Sequence, residues 1–279
     1  MYTIKVKSVF WLLGIAVSLG AVSSLSQAQT LAIEPYENRP VLENAIIEER
    51  LDTLLPGLMR ESGIDMWLVI AREYNDDPVF MSLVPKPRFT ARRTTILVFF
   101  DRGEEGVERL TVSRYPLGSL YEAAWEGGDL SAQWARLGEV VRERNPQRIA
   151  INTSDTWPVA DGLSHSLHGK LMSAIGTEFS KRVISSESLV VRWMETRLKS
   201  EVEVWQRAVG IARETIARAF SSEVITPGVT TLGDVSWFIR TGSEEEGLEP
   251  WSHPAVKHEW RGAEVGQDAA LLGDGSPQS

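Results

Sequence analysis

Two stretches of seven residues set the terms on which this chain can fold. Ile64-Asp65-Met66-Trp67-Leu68-Val69-Ile70 and Thr94-Thr95-Ile96-Leu97-Val98-Phe99-Phe100 are almost continuously apolar. A strand with one wet face alternates apolar and polar residues. A strand that does not alternate must be covered on both faces, like the central strands of α/β sheets. The elements around these runs are suited to cover them. Over residues 42–59, Ile47, Leu51, Leu54, Leu55 and Leu58 recur at helical spacing, and Gly63 is placed to end the helix. Residues 109–113 read as a third strand, joined to the second as a hairpin through the glycine-bounded turn at 103–106. Residues 131–144 are helical, Asn145-Pro146 breaks them, 148–152 is a fourth strand, 164–175 a helix, and Arg182-Val183-Ile184 a short last strand. Helices alternating with buried strands predict a mixed-sheet α/β domain over 41–185.

A connector over 186–199 leads to a second module. Leu198, Val202, Trp205, Val209, Ala212, Ile216 and Phe220 fall at steps of three and four, drawing one apolar stripe along a helix. Glu203 with Arg207 and Glu214 with Arg218 are i,i+4 pairs on the other face. Ser200 and Glu203 are spaced for a capping box. Ile225-Thr226-Pro227-Gly228 stops the helix. Thr230 or Thr231 can cap a second one that carries Leu232, Val235, Phe238 and Ile239 inward. The first stripe needs a sheet to lie on, and the following residues do not read as one, so it is expected to stay exposed and sticky.

Composition excludes several classes of function. The net charge of −9 argues against a nucleic-acid partner, and the absence of cysteine removes disulfides, thiolate nucleophiles and Cys-ligated metals. Residues 1–28 read as a signal peptide: Lys5 and Lys7 form a positive start, 9–22 an apolar centre, and Ser26-Gln27-Ala28 a cleavage site. Cleavage there removes two lysines and no acid, taking the charge from −9 to −11. The expected localisation is export to the periplasm or beyond, with no stable membrane span after cleavage, because the apolar centre is shorter than the roughly 20 residues a span needs. Residues 256–279 read as an atypical, disordered tail.

The candidate chemistry is thin. Asn75-Asp76-Asp77-Pro78 offers oxygen ligands but reads as a solvated turn built from turn-forming residues. His165 and His168 are an i,i+3 pair without a third ligand, and His253 and His258 are weak signals alone. Arg88, Arg92 and Arg93 read as a solvated rim, and Glu244-Glu245-Glu246 as a solvated helix end. Asn152-Thr153-Ser154 matches a glycosylation sequon. No G-x-S-x-G, P-loop or G-x-G-x-x-G occurs.

The order of elements resembles the creatinase/prolidase family of pita-bread metallopeptidases, in particular exported bacterial Xaa-Pro aminopeptidase-like proteins. The resemblance rests on Arg50-Leu51-Asp52, on Met59-Arg60-Glu61-Ser62-Gly63-Ile64-Asp65-Met66-Trp67-Leu68-Val69, and on Arg72-Glu73-Tyr74-Asn75-Asp76-Asp77-Pro78. It continues in Arg197-Leu198-Lys199-Ser200-Glu201-Val202-Glu203, in 208–212 and in Ile225-Thr226-Pro227-Gly228-Val229-Thr230, and covers roughly residues 40–255. It implies a creatinase-like N-terminal α/β domain with a mixed sheet, over 41–185, followed by the first helices of an incomplete pita-bread domain over 200–255.

Such proteins hold two divalent metals through two Asp, a His and two Glu, and the metals activate a bridging water. Here Asp234, Asp268 and Asp274 are not placed to match, so no catalytic, cofactor-binding or metal residue is carried over, and no cofactor is assigned to this chain. The preferred expectation is a family member truncated before its metal ligands, by an early stop or frameshift near 256–261, and without catalysis as it stands. The alternatives are an active exported metal-dependent aminopeptidase or dipeptidase acting on proline peptides, and a non-catalytic binding or dimerisation module. The resemblance also implies a homodimer, and a peptide substrate only for a full-length relative.

Overall fold

The computed structural model of the chain describes residues 34–35 and 37–258. The signal segment read at 1–28 and the tail residues 259–279 lie outside the described residues.

The first helix follows the apolar period but is not uniform. α1 (Arg39–Glu49) runs through a π-helical turn, Arg50–Leu54, into α2 (Leu55–Glu61). Pro56 accounts for the wide turn: it has no N–H to donate, and its ring collides with the carbonyl four residues back, so the helix loosens there instead of breaking. Gly63, at φ 62°, then reverses the chain as expected.

β1 (Met66–Arg72) and β2 (Thr94–Asp101) are the two apolar runs, antiparallel and in register from Met66 opposite Phe100 to Arg72 opposite Thr94. β3 (Val107–Thr111) pairs antiparallel with β2 through the expected hairpin, and β4 (Glu122–Ala123) adds a parallel edge. On the other side β5 (Ile149–Ile151) lies parallel to β1, and β6 (Val183–Ser185) parallel to β5. The sheet is thus mixed and six-stranded, in the order β4-β3-β2-β1-β5-β6. β4 is two exposed residues with no apolar period, which is why no pattern announced it.

Both faces of the sheet are buried, and the period of two sorts the side chains between them. Trp67, Val69, Ala71, Leu97 and Phe99 join one core with Leu51, Leu55, Leu58, Leu189 and Trp193. Met66, Leu68, Ile70, Ile96 and Val98 join the other, under α3 (Leu130–Arg144) and α4 (His165–Ser180). Trp67 stands opposite Phe99, and their rings stack with centroids 5.1 Å apart. Gly138 lets α3 and α4 approach closely, since a Cβ there would overlap the Ala174 carbonyl. The end expected for α4 at 175 marks a real kink, Gly176 at φ 79°, past which the helix resumes to Ser180.

The stretch read as a connector holds a helix. α5 (Glu187–Glu195) buries Leu189, Val190 and Trp193 completely in the first core. α6 (Lys199–Ala219) and α7 (Leu232–Glu245) follow, joined through the Pro227-Gly228 turn. Thr231 caps α7 in a reciprocal box with Asp234. The box expected at Ser200 and Glu203 does not form. α6 starts two residues earlier in register, with Glu201 Oε2 accepting from the Leu198 N–H at 2.7 Å, while Ser200 Oγ donates to Glu49. Among the described residues no helix is long and apolar enough to cross a membrane.

Candidate functional site

β1, β5 and β6 are parallel, so their carboxyl ends meet at one edge of the sheet, where open α/β sheets assemble their sites. Each of these strands delivers one polar residue there. Asp77 lies in the loop after β1, Asn152 directly follows β5, and Ser186 directly follows β6. Asn152 Nδ2 donates to Asp77 Oδ2 at 2.7 Å, and Asn152 Oδ1 accepts from Trp67 Nε1 at 2.8 Å and from Ser186 Oγ at 2.6 Å. Asp77 Oδ1 takes the Val79 N–H at 2.9 Å. Burial pushes the Asp77 carboxyl up to about 6; the hydrogen bonds from Asn152 and Val79 oppose the rise, and the nearby Asp161 charge adds to it. Gly162 closes the roof, since a Cβ there would overlap the Asp77 carboxyl.

One expectation is corrected here. Asp77 is not in a solvated turn: the residue is 1% exposed, and Asp76 beside it is engaged by Thr90 Oγ1 and the Ala91 N–H. The residues are turn-formers for local reasons, but the loop folds inward because donors wait at the strand ends. Asn152 is equally buried and its amide nitrogen is committed to Asp77, so the sequon cannot carry a glycan in the folded chain. With every polar atom matched and all four side chains buried, the cluster is a clasp between three loops and not a reaction centre.

A second clasp holds α6. The buried Arg50 guanidinium donates to Glu201 Oε2 at 2.6 Å, to the Thr196 carbonyl at 2.8 Å and to the Trp193 carbonyl, and it stacks 4.3 Å over the Trp193 ring. One side chain in the π-helical turn thereby ties together α5, the 196–198 bend and the start of α6. The pairing that recruits Glu201 explains the shifted cap.

Clefts gather around the loop Lys86-Pro87-Arg88-Phe89. One of about 420 Å³ lies between this loop, α1, α6 and residues 247–249. Another, of about 680 Å³, lies on the other side of the same loop, against α1 and residues 118–120. Arg88 lines both. The three arginines read as one rim separate here. Arg92 is exposed and stacks 4.6 Å over Tyr115, and Arg93 is exposed and pairs with Glu73 at 3.6 Å. Arg88 is half-buried: Nη2 donates to the Pro116 carbonyl at 3.1 Å, while its buried Nε has no hydrogen-bond partner. Burial, with the Arg92 charge nearby, lowers its pKa. The solvated-rim reading therefore fails for Arg88, because the loop turns it into the protein between two clefts.

The histidines do not converge. His165 and His168 sit on the first turn of α4, and His253 meets Ser236 Oγ at 3.0 Å and tilts against Trp237 with centroids 4.6 Å apart. Among the described residues no group of three His, Asp or Glu side chains is arranged to hold a metal, so the binuclear ligand set that the resemblance implies is not met by them. Glu244, Glu245 and Glu246 are exposed at the end of α7, with Arg240 reaching Glu244 at 2.5 Å.

α6 has two unlike faces. Ile211, Thr215 and Ala219 are buried, with Val235, Ser236 and Ser243 of α7 buried opposite. The larger side chains of the stripe face outward: Val202 is 42% exposed, Trp205 57%, Val209 51%, Ile216 47% and Phe220 56%.

In class, the protein is a mixed α/β domain on a six-stranded mixed sheet, followed by a helical hairpin. Two solved structures that it is similar to carry the names of Xaa-Pro peptidases. The chain is similar to the Xaa-Pro dipeptidase from Bacillus anthracis at 18% identity and a TM-score of 0.45, over 75% of this chain and 50% of that one. It is similar to X-Pro aminopeptidase from Thermotoga maritima MSB8 at 21% identity and a TM-score of 0.44, over 69% of this chain and 50% of that one. It thus spans about half the length of either. No family model and no curated protein matches it.

Proposed function

We propose that this chain is an Xaa-Pro-peptidase-like member of the creatinase/prolidase family, exported by its first 28 residues. It contributes the N-terminal α/β domain and the first two helices of a pita-bread domain, and has no peptidase centre of its own. The observation that carries the reading is the asymmetry of α6. The helix is anchored to the α/β domain by a buried Arg50–Glu201 pair, yet leaves Trp205, Val209, Ile216 and Phe220 uncovered. A helix built to stand alone would not spend its largest side chains on water. The motif around residues 197–203 supports the family, since it falls where such a domain begins. The same uncovered face favours the second reading, a binding or dimerisation module.

Metal analysis together with hydrolysis of Xaa-Pro peptides by the purified chain tests this. The expected result is neither stoichiometric divalent metal nor turnover. Two bound ions with turnover would establish the active aminopeptidase instead, and a stable metal-free homodimer that protects α6 from protease would favour the binding module.

A further inference from the structure

Among the described elements, α6 packs along its length on α7 alone, and its buried residues, Ile211, Thr215 and Ala219, serve that contact. Toward the α/β domain it leaves a fissure. The cleft of about 420 Å³ and another of about 350 Å³ both lie between α1 and α6, and Glu43, Ile46, Lys86 and Val204 line both. A seam closed by apolar packing leaves few voids larger than a water molecule. This one is held by other means.

Hydrogen bonds across the seam gather at its two ends. At the start of α6 the buried Arg50 guanidinium donates to Glu201 Oε2 at 2.6 Å, and Ser200 Oγ donates to Glu49 Oε2 at 2.7 Å. At the other end Arg39 Nη2 donates to the Gly247 carbonyl at 2.9 Å, just past α7. Between α5 and α6 the backbone is extended at Thr196 and Leu198. α5 is fixed in the core by Leu189, Val190 and Trp193. Hinges are a few residues at element ends that absorb a change in φ and ψ while the bodies on either side stay packed. Residues 196–198 have that form, with an anchored helix before them and a packed helical pair after.

We propose that the α6–α7 hairpin is a hinged flap that swings as one body about residues 196–198, latched along α1 by the Arg50–Glu201 pair and the Arg39 strap. The swing changes both clefts together, so the latch sets access to Leu42 and Ile46 on the wall of the fissure. The inference stands apart from the peptidase reading, since it needs no metal and no further domain.

Distances between paired spin labels test it, and a chain without cysteine takes labels only where cysteines are introduced. Lys170→Cys with Ala217→Cys joins α4 to α6, and Ala217→Cys with Glu245→Cys lies within the hairpin; all three positions are exposed. The otherwise unaltered chain is expected to give one narrow distance for each pair. Glu201→Gln, which keeps an acceptor for the Leu198 N–H, should add a second α4-to-α6 population displaced by about 5 Å or more, with the distance inside the hairpin unchanged. Arg39→Gln, which spares the buried pair, should add a smaller one. An unchanged α4-to-α6 distance in either folded variant would overturn the proposal. So would a displaced distance inside the hairpin, or an α4-to-α6 distribution already as broad with the latch intact.

Discussion

The α/β sheet and the α6 to α7 hairpin were both announced by strong apolar patterns, and the two patterns met different fates. In β1 the six residues from Met66 to Ala71 are all buried, because α1, α2 and α5 cover one face and α3 and α4 the other. In α6 the stripe of large residues faces outward, and the helix instead buries Ile211, Thr215 and Ala219. The smaller row is the one that lets α7 approach, and Gly242 sits where a Cβ would come within 3.2 Å of Thr215. An apolar stripe states a demand for a surface. Whether the demand is met depends on which elements lie beside it.

If that contrast is right, the largest effects belong to the sheet. Phe99→Ala should lower unfolding stability by about 3–5 kcal/mol in urea denaturation, as a cavity in a core closed on both faces would; a loss under about 1 kcal/mol would mean the core is not closed. Arg50→Met should cost about 3 kcal/mol by leaving the Glu201 carboxylate without its cation and the Trp193 carbonyl without its side-chain donor, and should also make α6 more open to limited proteolysis.

The Asp77 clasp adds a dependence on pH. Its carboxyl ionises at about 6 in the fold against 3.8 as the reference value, so between those values the folded chain holds a proton that the unfolded chain has lost. Stability from this group is therefore greatest below about pH 4, falls as pH rises toward 6, and stays reduced above it. The difference reaches up to about 3 kcal/mol. Urea midpoints at pH 4.5 and 7 should show the wild type losing stability relative to Asp77→Asn, and a parallel response of the two chains would refute the assignment. Smallest of all is the outer face of α6. Val209→Gln and Ile216→Gln should each change stability by no more than about 0.5 kcal/mol while reducing binding of a hydrophobic dye. A large loss of stability there would mean that the stripe is already covered.

Much of the fold was legible because its signals were local. The two seven-residue apolar runs, the hairpin bounded by glycines and the Thr231 start of α7 are read from neighbours in sequence. What escaped reading depended on distant partners. Leu189, Val190 and Trp193 lie in a short segment whose helix is recognisable only once a core is waiting for it. Nothing near Ser200 reveals that Arg50, some 150 residues earlier, draws Glu201 into the cap. Of the site residues, Arg92 and Arg93 behave as their composition suggests. Arg88 does not, because its burial comes from a loop packed against Pro116, and the only signal in the sequence was the cluster itself.

By itself, the sequence determined periodicity, and with it the class of the fold. Runs that do not alternate must be buried on both faces, and a stripe at 3.6-residue spacing must be a helix, whatever lies beside them. Only the tertiary structure decided which polar groups left water. Asp77, Asn152 and Ser186 come from three loops and share one desolvated clasp, while Arg88 is half-buried and, among the described residues, forms no ion pair. Desolvation and pairing are set by what stands opposite a side chain in space, and neighbours in sequence do not carry that information.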